Sequence, residues 1–197
     1  MRKKIATALV GFGVAATTVL ATGGSAQGHG YTQSPMSRQA YCANGTVANC
    51  GSIQWEPQSV EGPKGFPAAG PADGQLCSGG NSRFAQLDDP RGGTWPATQL
   101  TPGQNLTFTW KMTAPHRTTD FKYYITRNGW DPTKPLTRSA LETQPFLTVH
   151  MDGRQPAYTE SHQGTVPAGK SGRHVILAVW TVHDTANAFY ACSDVKF

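Results

Sequence analysis

The sequence predicts a mainly β protein, a β-sandwich entered through a long, loop-rich region. Three observations carry that expectation. Glycine and proline number 22 and 14 among 197 residues, and charged residues make up only 15%, a composition of turns and compact strands rather than of helices. Beyond residue 100, short segments rich in β-branched and aromatic residues recur between turn signals. Between His29 and about Pro96, by contrast, proline and glycine interrupt every few residues and no period can be followed.

Taken in order, the chain starts with Arg2, Lys3 and Lys4, then an apolar run from Ile5 to Leu20, then small residues leading to Ala26-Gln27-Gly28. A positive start, an apolar centre and a small-x-small end form the pattern of a secretory signal, expected to span residues 1–28. The alternative is a retained membrane anchor, but the apolar run is short and rich in Gly, Ala and Thr. Cleavage there would leave one domain, His29 to Phe197, exported from the cell. Three of the 17 basic residues and none of the 12 acidic ones lie in the leader, so the formal charge of the remainder is +2. No Lys/Arg cluster remains that could neutralise a run of phosphates, which argues against nucleic acid as a partner.

The loop region, residues 29 to about 96, is too long for idle connection and reads as ordered and functional. Its aromatics Trp55, Phe66 and Phe84 suggest packing, and it contains three of the four cysteines, Cys42, Cys50 and Cys77. An even cysteine count in an exported chain argues for disulfides. Of three pairings, Cys42–Cys50 closes a short loop around Asn44-Gly45, and Cys77–Cys192 ties the loop region to the last strand. A zinc site is the weaker reading, because no C-x-x-C occurs. Strands are expected at Asn105–Met112, where Leu106, Phe108, Trp110 and Met112 share a face, and at Phe121–Thr126, Phe146–Met151, His174–Val182 and Ala188–Phe197. No repeat or linker points to a second module.

If the leader is removed, His29 becomes the first residue. Its α-amine, with a reference pKa near 8, and its imidazole then form a chelate. A second imidazole would complete a three-nitrogen set of the kind that favours Cu(II). The second ligand could be His116, His150, His162, His174 or His183. His116 stands out because it follows a strand end, in Thr113-Ala114-Pro115-His116, where a loop projects side chains outward. For the other four a packing or solvated role is the default.

The segments His29-Gly30-Tyr31, Glu56 to Gly62 (EPQSVEG), Gly65-Phe66-Pro67, Gly70 to Gly74 (GPADG), Thr113 to His116 (TAPH) and Asp184 to Tyr190 (DTANAFY) resemble, in matching order, the bacterial chitin-binding lytic polysaccharide monooxygenases of auxiliary activity family 10. The resemblance implies a fibronectin III/immunoglobulin-like sandwich with a large loop-rich subdomain near the N-terminus. It implies one copper ion, cycling between Cu(II) and Cu(I), held by His29 and His116. Phe189 would lie on one axial side and Ala114 on the other, with Glu61 nearby to hydrogen-bond the co-substrate or move a proton. Trp55, Glu56, Pro57, Thr113, Asp184 and Asn187 would surround the metal as a flat chitin-contact surface. The implied activity is oxidative cleavage of crystalline chitin at C1 by a monomeric secreted enzyme, fed by hydrogen peroxide or dioxygen and an external electron donor. Three other classes compete: a non-catalytic chitin binder, a copper carrier without polysaccharide, and a glycosidase, for which no carboxylate spacing argues.

Overall fold

The computed structural model describes residues 28–197; the expected leader lies outside the described residues except for Gly28. Among the described residues no helix is long and apolar enough to cross a membrane. The chain runs β1 (His29–Ser34), α1 (Arg38–Ala43), β2 (Glu61–Pro63), β3 (Thr98–Gln99), β4 (Asn105–Ala114), β5 (Thr118–Ile125), β6 (Leu147–His150), β7 (Thr159–Thr165), β8 (Arg173–Val182) and β9 (Asn187–Lys196). These form two sheets, one in the order β1-β4-β7 and one in the order β2-β9-β8-β5-β6 with β3 added beside β9. All pairings are antiparallel except β3 with β9.

Two cores explain the sequence pattern. Between the sheets lie Phe108, Trp110 and Met112 of β4, facing Phe121 and Tyr123 of β5, Trp180 of β8 and Phe189 of β9. β4 alternates because its other face is wet: Lys111 and Thr113 are exposed between buried neighbours. The second core lies on the opposite face of the larger sheet, where Val175, Leu177, Val179 and Tyr190 meet Ile53, Val60, Phe66, Leu76 and Phe84 of the loop region. β8 is therefore covered on both faces and reads as a continuous apolar run from His174 to Trp180, all buried.

The loop region is fastened to the sandwich at several points. Both expected disulfides are present, Cys42–Cys50 and Cys77–Cys192, the second spanning 115 residues to β9. Arg38 of α1 forms a buried ion pair with Asp194 of β9 at 2.7 Å. Asp88 Oδ1 accepts from the backbone N–H groups of Cys77 and Ser78. The five strands expected after residue 100 are all present with ends shifted by at most three residues. β1, β2, β3 and β7 were not expected as strands. β7, TESHQGT, is an edge strand with only His162 buried, so it carries almost no apolar signal.

Candidate functional site

One end of the sandwich gathers the termini of five strands. There β1 begins, β4 ends, β5 begins, β8 ends and β9 begins, so the residues just beyond these ends meet in space although they lie far apart in sequence. His29 stands opposite Ala114 in the β1–β4 pairing, with a bulge between His29 and Gly30. Gly30 is required there, since a Cβ would lie 2.5 Å from Met112 Sδ and 3.2 Å from the carbonyl of Lys111. Its N–H donates to Gln58 O at 3.1 Å, tying the loop after Trp55 to the free side of β1.

His116 lies two residues beyond β4, on a loop that is held from three sides. Thr118 Oγ1 donates to the His116 carbonyl at 2.8 Å and itself accepts from Trp180 Nε1 at 2.6 Å. Gln155 Nε2 donates to the Pro115 carbonyl at 3.0 Å. The His116 ring is half-buried, with Nε2 3.3 Å from Asp184 Oδ1 just beyond β8. Gly28, the residue before His29, lies against the second histidine: a Cβ on it would lie 3.1 Å from His116 Cβ, 3.1 Å from Trp180 Cη2 and 3.3 Å from Phe189 Cε2. The main-chain nitrogen of His29 follows directly on Gly28, which itself sits in a cradle of His116, Trp180 and Phe189.

Phe189 is fully buried, with its ring stacked on Trp180 at 4.7 Å and 6.2 Å from the His29 ring. Across the β2–β9 pairing it stands opposite Glu61. Asn187 Nδ2 donates to Glu61 Oε1 at 2.7 Å, which orients a half-buried carboxylate beside the histidines. Thr113 is exposed and Ala114 half-buried, at the end of β4. Trp55, unlike the loop-region aromatics Phe66 and Phe84, is not packed but 81% exposed. Glu56 beside it is ion-paired with Arg83.

The strand-end residues expected at the site therefore share one end of the fold, with Trp55 and Glu56 on the loop tied to its β1 side. Pro57 differs from these two in being buried, at the second position of the turn in which Ser59 N–H donates to Glu56 O. Sequence reasoning missed the residues that hold the site: Trp180, Thr118 and Gln155. Thr118, two residues from His116, was open to notice, but Trp180 reads only as core.

The donor chemistry fits a nitrogen-only metal site. Among the described residues no three His, Cys, Asp or Glu side chains converge; the nitrogen donors at this end are the His29 and His116 rings and the main-chain nitrogen of His29. The remaining histidines stand elsewhere or serve otherwise. His162 is buried and bonded to the Tyr123 hydroxyl at 2.7 Å. His174 is bonded to Thr126 and lies roughly 25 Å along β8 from the site, at about 3.3 Å per residue. Burial holds both imidazoles below their ordinary pKa, with the Lys170 ammonium adding to the effect at His174 and Glu160 opposing it at His162.

Known proteins are similar to this chain over nearly all of its described residues. A family model described as "Lytic polysaccharide mono-oxygenase, cellulose-degrading" matches residues 29–195. An AA10 family lytic polysaccharide monooxygenase C of Mycosarcoma maydis is 50% identical over 172 residues, covering 86% of this chain and 52% of that protein. The GlcNAc-binding protein A of Shewanella oneidensis is 45% identical over 173 residues, covering 88% of this chain and 36% of that protein. The chain thus spans about half or less of these curated relatives. Among solved structures, an AA10 lytic polysaccharide monooxygenase from Streptomyces lividans superposes with a TM-score of 0.84 at 63% identity, over 86% of this chain and 100% of that one. A Bacillus amyloliquefaciens CBM33 "in complex with Cu(I) after photoreduction" gives 0.78 at 42% identity, over 85% and 99%.

Proposed function

The chain belongs to the AA10 family of lytic polysaccharide monooxygenases, and on that premise we propose that it is a secreted, copper-dependent enzyme that binds crystalline chitin and cleaves it oxidatively at C1. The observation that carries the reading is the convergence on one sandwich end of His116, 3.1 Å from a Cβ placed on the residue before His29, and of the His29 ring, 6.2 Å from buried Phe189. Removal of residues 1–28 would turn the His29 nitrogen into an amine and clear Gly28 from the cradle beside His116. The amine, the His29 ring and the His116 ring would then hold the ion, in a donor set suited to Cu(II). Copper would supply the one-electron exchange with an external donor and the activation of hydrogen peroxide or dioxygen.

The protein's own groups do the rest. Phe189, a buried apolar ring, would offer the metal no further ligand, and Ala114, opposite His29 in the β1–β4 register, would limit the space beside it. Glu61, with one oxygen fixed by Asn187, holds a hydrogen bond to the co-substrate or moves a proton at its carboxylate. Thr113, Asp184 and Asn187 offer donors and acceptors to sugar groups, and exposed Trp55 offers a ring face. A site built on strand ends with Thr113 and Trp55 exposed suits a polymer presented as a flat crystal face, and the chain works as a monomer. Similarity to GlcNAc-binding proteins supports chitin as the polymer.

The test is mass spectrometry of β-chitin incubated with the copper-loaded chain from His29 onward and ascorbate. Oligosaccharides ending in aldonic acids are expected; native oligosaccharides alone, or no release, would overturn the reading. A second reading, cleavage of cellulose, is favoured by the wording of the family description. The same assay on cellulose decides it, since oxidised products there and none from chitin would reassign the substrate.

A further inference from the structure

Trp55 and Tyr158 are the large hydrophobic side chains left exposed among the described residues, at 81% and 70%. They flank the histidines on opposite sides. The Trp55 loop is tied to the free side of β1 through Gly30 and Gln58, whereas Tyr158 precedes β7, the strand on the far side of β4. Its carbonyl accepts from Met112 N–H at 2.8 Å, which fixes its place near the site end of β4. Met112 is buried while the Tyr158 ring across from it is not, so that ring hangs beyond the packed core. With strands about 4.8 Å apart, the β7 backbone lies about 10 Å from that of β1.

The surface between His116 and Tyr158 is built rather than loose. Gly153 N–H donates to Thr118 O, and Thr118 N–H to Arg154 O, locking the loop before Tyr158 against the start of β5. Arg117 Nε donates to Gly153 O at 3.1 Å and so lies across this loop. A side chain at Gly153 would displace it, since a Cβ would lie 3.0 Å from Arg117 Nη2 at a φ of +82°. The exposed guanidinium keeps further N–H groups for acceptors beside it.

We propose that Tyr158 and Arg117 form a second saccharide contact, taking the same chitin chain on the far side of the metal ligands from Trp55. The Tyr158 ring stacks on a sugar face and Arg117 donates to hydroxyl or N-acetyl oxygens. Two anchors about a metal site between them fix the direction in which the polymer crosses it. This inference rests on the chitin reading above. Tyr158→Leu, Tyr158→Phe and Arg117→Gln are to be compared with the wild-type chain from His29 onward. The readouts are depletion isotherms on β-chitin, copper calorimetry and thermal midpoints. Tyr158→Leu should weaken chitin binding by about five- to tenfold, the worth of one aromatic contact. Tyr158→Phe should bind as wild type, Arg117→Gln should bind more weakly, and copper affinity should be the same in all. Isotherms of Tyr158→Leu and Arg117→Gln that overlay wild type would overturn this contact alone; a wild-type chain that does not bind chitin would overturn it together with the chitin reading.

Discussion

Gly62 is the place where the packing of the loop region sets the position of the site, and replacing it with alanine tests that coupling. A Cβ at Gly62 would lie 2.0 Å from the carbonyl oxygen of Gly79 and 2.9 Å from its carbonyl carbon. Ordinary carbon–oxygen contact begins at about 3.3 Å, so the two backbones must part by about 1.3 Å. Neither side yields easily. The Gly79 segment is fixed to β9 by Cys77–Cys192 and capped by Asp88. β2 is paired with β9 at Glu61, Gly62 and Pro63, and Val60 O accepts from Tyr190 N–H. Overpacking against fixed backbone belongs at the upper end of the usual range, about 3 kcal/mol. For a chain of this size that lowers the melting midpoint by about 6–12 °C. The residue displaced is Glu61, next to Gly62, which would leave its hydrogen bond to Asn187. A catalytic group moved by an ångström can cost about a hundredfold in rate. Calorimetry and a chitin oxidation assay read the two effects in parallel. A Gly62→Ala chain with the wild-type midpoint and wild-type rate would refute both the clash and the claim that β2 positions Glu61.

Three further outcomes follow from the same structure. His29→Ala and His116→Ala should each abolish high-affinity copper binding in titration calorimetry and oxidation of chitin, while leaving most of the chitin binding; unchanged copper titrations would count against the donor set. Replacing Cys77 and Cys192 with serine opens a closure of 115 residues, worth about 4–5 kcal/mol in the chain-entropy model. The melting midpoint should then fall by about 10–18 °C, and a loss of a degree or two would mean the loop region holds without its tether. Copper-free protein should lose stability between pH 7 and pH 5. His162 and His174 have folded pKa values held below the unfolded value of about 6.5. The stability linked to their neutral forms is therefore present above that value and lost as pH falls through the folded ones, by up to about 1.4 kcal/mol per pH unit for each. His174→Asn should flatten the decline, and a midpoint that is level or rises towards pH 5 would refute it.

How much of the fold could be read depended on what covers each strand. β4 has one wet face and one dry face and was recognisable from alternation alone, and β8, covered on both faces, from its unbroken apolar run. β7 could not be recognised, because an edge strand with polar residues on most positions resembles a loop. The same holds for β1, whose buried Gly30, Tyr31 and Thr32 have no periodic apolar signal. The loop region was legible as ordered through its cysteines, but its helical turn α1 is held by a buried ion pair between residues 156 apart, which no local pattern reveals.

The site divides in the same way. His116 stood out because it follows a strand end, though the family resemblance chose it over four other histidines, and His29 stood out because a leader-like segment precedes it; both signals are local. What makes them a site is not local. The distance between them is set by the His29–Ala114 register, and their common floor by Phe189 stacking on Trp180. The acid beside them is oriented by Asn187, which lies 126 positions further along the chain. Each of these links crosses between strands, so composition and spacing say nothing about them. Exposure too changes from one residue to the next without a local signal: Pro57 adjoins exposed Trp55 and ion-paired Glu56, yet it is buried.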